Sequence, residues 1–308
     1  MKNNCMKILI VAHPGFTESI SNIVKDISSV DARVVSFKDK IWKGKNILRR
    51  IILLNNYDCV HFFWGNVKIF DFLFYRIFSG VKIINHFMGT DLHNILKSKR
   101  KTLELRMCAI ISKIVVVGYV LSEELSEIGI NNDIVYIINH EVVKKEFTFP
   151  DDRKVIAYIP STRKTFFRHD FLLKLSEDHP DIKFTWFPYT KEADEYVPKN
   201  VSVIPYIQKD QVLTEMQKHK IFIRIPIHDG GAPLSLIEAL NIGRWCIWTF
   251  NMENVNKIDS YNDLKSNLEK LIEKNDYNMK GEVFVLEHFD FPKIVAGFTE
   301  LYIKMGLI

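Results

Sequence analysis

Apolar, β-branched runs alternate with segments of helical period along most of the chain. Lys7–Ala12 (KILIVA) predicts a buried strand, followed by a turn at His13, Pro14 and Gly15 and a helix through Ser19–Ser28. Ala32–Phe37, Asp58–Phe63, Lys82–His86 and Ile114–Val117 predict further strands. A helix over Ser122–Ile128 and a strand over Ile134–Ile138 close the first half. The pattern restarts with strands at Val155–Ile159, Lys183–Phe187, Val201–Ile204, Ile221–Ile225 and Trp245–Thr249, and helices at Phe171–Glu177 and Leu234–Ile242. Runs of Val and Ile that do not alternate with polar residues mark strands buried on both faces, as in a parallel sheet clad by helices.

The short polar connection Phe149-Pro150-Asp151-Asp152 separates the two series, which places one domain at 1–150 and a second from 151 onward. The 308 residues are about twice a usual domain length, in keeping with this division. Two doubly wound α/β domains follow. Ligands of such sheets sit at the carboxyl ends of strands, and two facing domains put that site in the cleft between them.

Hydrophobic residues make up 47% and charged residues 26%, which excludes a disordered or collagen-like chain. No apolar run approaches the ~18–20 residues that cross a bilayer, and no secretory signal is visible at the N-terminus. The four cysteines lie far apart, without zinc or disulfide spacing, which fits a reducing cytoplasm. Charge is uneven. Residues 1–101 carry 17 Lys and Arg against 7 Asp and Glu, a formal +10, while the remainder carries 25 against 30. The stretch from Lys38 to Arg50 around Trp42 runs into Ile47, Leu48, Ile51 and Ile52, as in a basic amphipathic helix. It reads either as a solvated face or as one that meets an anionic membrane surface. No nucleic-acid signature accompanies it.

The most informative segment is HDGGAPLSLIEALNIGRW, His228 to Trp245. Gly230 and Gly231 permit tight turns and close backbone approach. Pro233 suits a helix start, and the amides near Ala232, Leu234 and Ser235 offer an anion site at the positive end of the helix. Glu238 lies one turn further on, where a carboxylate accepts hydrogen bonds from a ribose diol or, equally on spacing alone, caps a nearby backbone group.

This segment resembles the donor-binding signature of family-4 retaining glycosyltransferases of the GT-B fold, E-G-F-P-x-x-x-L-E-A-x-x-x-G. Gly231, Pro233, Glu238, Ala239 and Gly243 match it. The usual first glutamate falls on Gly230, so Asp229 stands in for it. Asp58–Trp64, Asn85–Asp91 and Val116–Phe147 resemble further segments of the family in order and spacing. The resemblance implies two Rossmann-like domains facing across a cleft, the second spanning 151–290, with a C-terminal helix at 291–308 crossing back to the first. It also implies metal-independent transfer from a nucleotide-diphosphate sugar, with no cofactor, to a hydroxyl on a glycan or lipid-linked acceptor. In the family a basic pair binds the diphosphate in the loop after the first strand of the second domain. Here that loop offers Arg163, Lys164 and Arg168.

In the first domain, Gly15 would let the backbone approach a ligand, and His86, ending a strand, is expected to face the cleft and bond donor or acceptor. His61 and the tryptophans Trp64, Trp186, Trp245 and Trp248 are expected to pack in the core or along sheet edges. The ten histidines do not pair with acids at metal-ligand spacing. The activity expected is a hexosyltransferase of surface polysaccharide or glycolipid synthesis, cytoplasmic and peripheral on the inner membrane face. Alternatives are a sugar-nucleotide epimerase and a catalytically silent nucleotide-binding subunit. The lack of G-x-G-x-x-G speaks against a nicotinamide dehydrogenase.

Overall fold

The computed structural model describes residues 5–43, 46–64, 68–137, 150 and 153–308, and within these the chain forms two compact units. The expected boundary at 149–152 lies, Pro150 apart, outside the described residues, as do the last residues of the Val116–Phe147 segment.

The first unit comprises the described residues of Met1–Glu141 together with Gly230–Ala232 and Phe289–Ile308. Its strands are β1 (Met6–Ala12), β2 (Val30–Ser36), β3 (Cys59–Phe63), β4 (Lys82–Phe87), β5 (Lys113–Val116) and β6 (Asp133–Ile134). They form one parallel sheet in the order β2-β1-β3-β4-β5-β6. Its helices are α1 (Thr17–Lys25), α2 (Lys40–Lys43), α3 (Ile47–Leu54), α4 (Ile69–Ser79), α5 (Thr90–Leu96), α6 (Lys99–Ile111) and α7 (Tyr119–Glu127). The unbroken apolar run of β1 has a direct physical cause. Successive side chains point to opposite faces of a strand, and here both faces are covered. Ile8 and Ile10 enter the core with Ile20 and Ile23 of α1, while Leu9 and Val11 enter the one with Ile51, Phe72 and Cys108 of α3, α4 and α6.

The basic stretch around Trp42 departs from expectation. It forms two short helices, α2 and α3, with residues 44–45 outside the described set. Trp42 packs edge-on against Phe62, and Arg50 is buried, its guanidinium bonding Asp71 Oδ2 at 2.9 Å and Tyr75 Oη at 3.0 Å. Neither faces outward as a membrane-binding group would.

The second unit comprises Val142–Asp229 and Pro233–His288, again within the described residues. Strands β7 (Lys154–Tyr158), β8 (Lys183–Phe187), β9 (Val201–Val203), β10 (Ile221–Arg224), β11 (Trp245–Trp248) and β12 (Asn256–Lys257) form a parallel sheet in the order β12-β11-β10-β7-β8-β9. Helices α8 (His169–Asp178), α9 (Lys209–Met216), α10 (Leu234–Asn241), α11 (Tyr261–Ile272) and α12 (Met279–His288) accompany it. The last helix, α13 (Phe291–Lys304), belongs to the first unit. Ile294, Phe298, Leu301 and Tyr302 of α13 are buried in that unit's core, and Lys82 Nζ fixes its end by donating to the Met305 and Gly306 carbonyls at 2.6 and 3.0 Å. Trp186 and Trp248 are core residues, as the sequence predicts, whereas Trp64 is not: it is 38% exposed.

Candidate functional site

The second sheet has the strand order of a Rossmann domain. The chain runs outward from β7 through β8 to β9, then returns to place β10 against the other side of β7. The carboxyl ends of β7 and β10 therefore diverge at a topological switch point, where such sheets bind ligands. The loop after β7 carries Arg163, Lys164 and Arg168, and the loop after β10 carries Asp229. A hydrogen bond from Ile227 N to the Phe166 carbonyl, 2.8 Å, ties the two loops together. The fold thus sets the basic loop beside the one that carries Asp229.

Each side chain there has a definite setting. Arg163 is exposed and lies over the Phe166 ring at 4.0 Å. Arg168 has a left-handed backbone, φ 48°, and covers the Phe171 ring at 5.4 Å. Neither arginine enters an ion pair among the described residues. Lys164 does: its ammonium lies 2.7 Å from Glu195 Oε1 and 3.5 Å from Glu192, and the bond to Glu195 raises its pKa. Burial works against the charge of Glu195, but the bonds from Lys164 and Tyr189 outweigh it and hold the carboxyl down to about 2. With Lys164 already neutralised inside the protein, the two arginines are left as the positive groups of this loop.

The loop after β10 contains a charge that the sequence reading overlooked. Arg224 Nε donates to Asp229 Oδ2 at 2.9 Å, both side chains are nearly enclosed, and the guanidinium stacks on Tyr158 at 4.6 Å. Asp229, expected to meet the donor sugar, is thus anchored by an arginine at the end of its own strand. An arginine closing the apolar run IFIRI was the available signal, since a charge beside a buried strand requires a partner. Glu195 and Tyr189 gave no signal, because their link to Lys164 is purely tertiary.

Pro233 occupies the cap position of α10, with Leu234 as its first helical residue, and no side chain caps this end. Glu238 sits one turn in and is 4% exposed. The helix ends at Gly243, φ 71°, whose amide bonds the Leu240 carbonyl while Arg244 N bonds the Ala239 carbonyl, each at 2.9 Å. This is a Schellman turn, which needs a left-handed residue at that place. The glycine of the motif is therefore explained by backbone geometry.

Gly230 and Gly231 group with the first unit, where their backbone leaves no room for side chains. A Cβ on Gly230 would lie 2.6 Å from Met88 O, and one on Gly231 (φ 96°) 3.1 Å from Gly118 C. Asp91 shapes the neighbouring loop by accepting from the amides of Met88, Gly89 and Leu92. The first sheet has its own switch point between β1 and β3. Gly15 lies there on an exposed turn, its amide donating to His13 Nδ1 at 3.3 Å. Trp64 follows β3 with φ 76°, its ring 5.5 Å from that of His13 and 6.2 Å from that of Phe16.

His86 corrects the sequence expectation. It is fully buried, and its Nε2 lies 3.1 Å from the Val135 carbonyl, so that nitrogen carries the proton. Burial lowers its pKa to about 3, so the ring is neutral and its Nδ1 accepts from His61 Nε2 at 3.3 Å. His61 Nδ1 in turn accepts from Tyr302 Oη of α13 at 3.2 Å. Both nitrogens of His86 are committed inside the core, and the ring faces Phe63 and Phe298. It is not a group that meets substrate.

Two Rossmann-like units with parallel sheets, the second returning its last helix to the first, define the α/β class of the GT-B fold. Among solved structures, HepE of Anabaena in complex with UDP and glucose matches at a TM-score of 0.69, with 10% identity over 97% of this chain and 100% of its own. A TarM variant from S. aureus, in complex with fondaparinux, alpha-GlcNAc-glycerol and UDP, matches at 0.58 with 12% identity over 83% of this chain and 59% of its own. The UDP-GlcNAc 2-epimerase of Neisseria meningitidis, bound to UDP-GlcNAc, matches at 0.57 with 14% identity over 97% and 100%. No protein-family model matches the sequence. A search of curated proteins gives no match either.

Proposed function

We propose that the protein is a glycosyltransferase that moves a hexose from a uridine-diphosphate sugar to a hydroxyl of a glycan or lipid-linked acceptor, with retention, beside the cytoplasmic face of a membrane. The observation that carries this reading is the switch point of the second sheet. There, the loop of Arg163 and Arg168, which enter no ion pair among the described residues, is bonded to the loop that follows β10. The structural neighbours that hold UDP, UDP-glucose or UDP-GlcNAc support the choice of donor.

In this reading Arg163 and Arg168 bind the diphosphate oxygens and offset the charge that grows as the nucleotide leaves. The amides of Gly231 to Ser235, aligned with the positive end of α10, add to that effect. Glu238 holds the ribose. Asp229, fixed by Arg224, orients the sugar hydroxyls. The acceptor oxygen bonds the anomeric carbon as the bond from that carbon to the phosphate oxygen breaks. The same phosphate oxygen, on the face from which it departs, takes the acceptor proton. This needs neither a protein base nor a metal, and activity that survives chelation is the expected outcome. The open turn at Gly15, beside Trp64, receives the acceptor.

A second reading, epimerisation, is favoured by the likeness to the UDP-GlcNAc 2-epimerase. Incubating the protein with UDP-glucose or UDP-GlcNAc alone separates the two: a transferase leaves the donor sugar's configuration intact and releases UDP only slowly. A ligand specific to the folded form must raise the melting temperature, so UDP-sugars are expected to do so. Glu238→Ala should weaken their binding at least about tenfold by calorimetry. Unchanged affinity in that variant refutes the site.

A further inference from the structure

We propose that the outward face of α3, α4 and α6 docks the protein on an anionic lipid surface. This deepens the proposed function and rests on it for the acceptor, while the surface itself stands on separate observations.

The three helices lie side by side on one face of the first sheet, α4 packed against both α3 and α6. Each buries one stripe and exposes the opposite one, as an amphipathic helix does, but here the exposed stripes are also apolar. In α4, Ile69, Phe72 and Tyr75 face the core, while Phe70, Phe74, Ile77 and Phe78 face outward, Phe70 being 74% exposed. In α6, Leu105 and Cys108 face inward, and Leu103, Met107 and Ile110 outward, Ile110 being 83% exposed. In α3, Leu48 and Ile52 repeat the pattern opposite Ile51 and Leu54. Single exposed apolar residues need no explanation, but a contiguous aromatic and aliphatic face marks an interaction surface.

Its charges identify the occupant. Arg49, Lys99 and Arg106 lie exposed at positions that share the outward stripes of α3 and α6, with Lys68, Arg76 and Lys101 exposed at the helix margins, and none enters an ion pair among the described residues. The acids on them, Asp71 and Glu104, are already paired with Arg50 and Arg100. A second copy of the chain would set this positive face against its own like charge. A bilayer with acidic headgroups offers the complement: apolar side chains enter the headgroup boundary while the basic ones meet lipid phosphates. Among the described residues no helix is long and apolar enough to cross a membrane.

The test is flotation of the full chain with phosphatidylcholine vesicles, with and without phosphatidylglycerol, at about 0.1 and 0.5 M salt. Wild type is expected to float with the anionic vesicles. Partition should fall at least about tenfold on neutral vesicles, at the higher salt, in F74S/I77S and in K99E/R106E. All four substituted side chains point to solvent, so melting temperature and its increase with UDP-sugar should stay unchanged in both variants. Absence of flotation, equal binding to neutral vesicles, or a dimer in light scattering that F74S/I77S dissociates would each overturn the proposal. Flotation without a UDP-sugar shift would instead refute the donor reading and leave the docking face standing.

Discussion

Lowering the pH should destabilise the first unit through His86, and the amount follows from its surroundings. The imidazole is fully buried, donates to the Val135 carbonyl and accepts from His61, so a second proton would have to displace a hydrogen bond in an apolar setting. Its pKa falls from the ordinary 6.5 to about 3. The unfolded chain thus binds more protons than the native one throughout that interval. Stability is complete above the unfolded value and is lost as the pH falls towards the folded one. At about pH 4.5 the gap in protonation spans roughly two pH units, or about 3 kcal/mol at about 1.4 kcal/mol per unit. His61, lowered by burial and by its neighbour His86, adds to the loss in the same direction. Set against a total stability of about 5–15 kcal/mol, this is a large fraction. Imidazole proton resonances followed by NMR give the direct readout: the signal of His86 should not titrate above about pH 5, and that of His61 should stay neutral well below its ordinary midpoint. Urea unfolding of wild type and His86→Gln at about pH 7.5 and 4.5 gives the energetic one, the variant losing about 3 kcal/mol of the pH dependence. A His86 midpoint near its ordinary value, or equal pH dependence in both proteins, would refute the reasoning. If it holds, an acid limb near neutral pH in the rate profile cannot belong to His86.

Breaking the nearly enclosed Arg224–Asp229 pair should be costly from either side, because the survivor loses an ion-pair bond in a setting that water reaches poorly. Arg224→Ala and Asp229→Asn are each expected to cost about 3 kcal/mol by chemical unfolding, and a double mutant that costs the sum of the two would show that the pair is not coupled. Gly243→Ala should lower stability by about 1–2 kcal/mol, since its φ is 71° and the added Cβ would lie 3.0 Å from Tyr277 Cδ1. An unchanged melting temperature would show that the Schellman turn tolerates a side chain.

What could be read from the sequence, and what could not, divides along physical lines. β1, β3, β7 and β10 announce themselves because both of their faces are buried, and burial on both faces leaves an unbroken apolar run. The start and end of α10 are equally legible, since Pro233 and Gly243 answer local backbone demands. The helix α4 is invisible for the reason that makes it interesting. In IFDFLFYRIFS the outward face is as apolar as the inward one, so no helical period survives to be read. α6 is hidden in the same way, Leu103, Met107 and Ile110 blurring a contrast that Leu105 and Cys108 would otherwise supply. Long-range partners account for the rest. Arg50 looks like one more surface cation until Asp71 and Tyr75 are folded against it. His86 looks like a ligand until Val135 and, through His61, Tyr302 of α13 claim its nitrogens. Both cases run the same way. A polar residue that the sequence presents as available to solvent or an outside partner finds its partner within the chain itself. The outward stripes of α3, α4 and α6 pose the opposite case, apolar residues for which the described chain supplies no cover, and there a partner from outside is the inference that the same accounting demands.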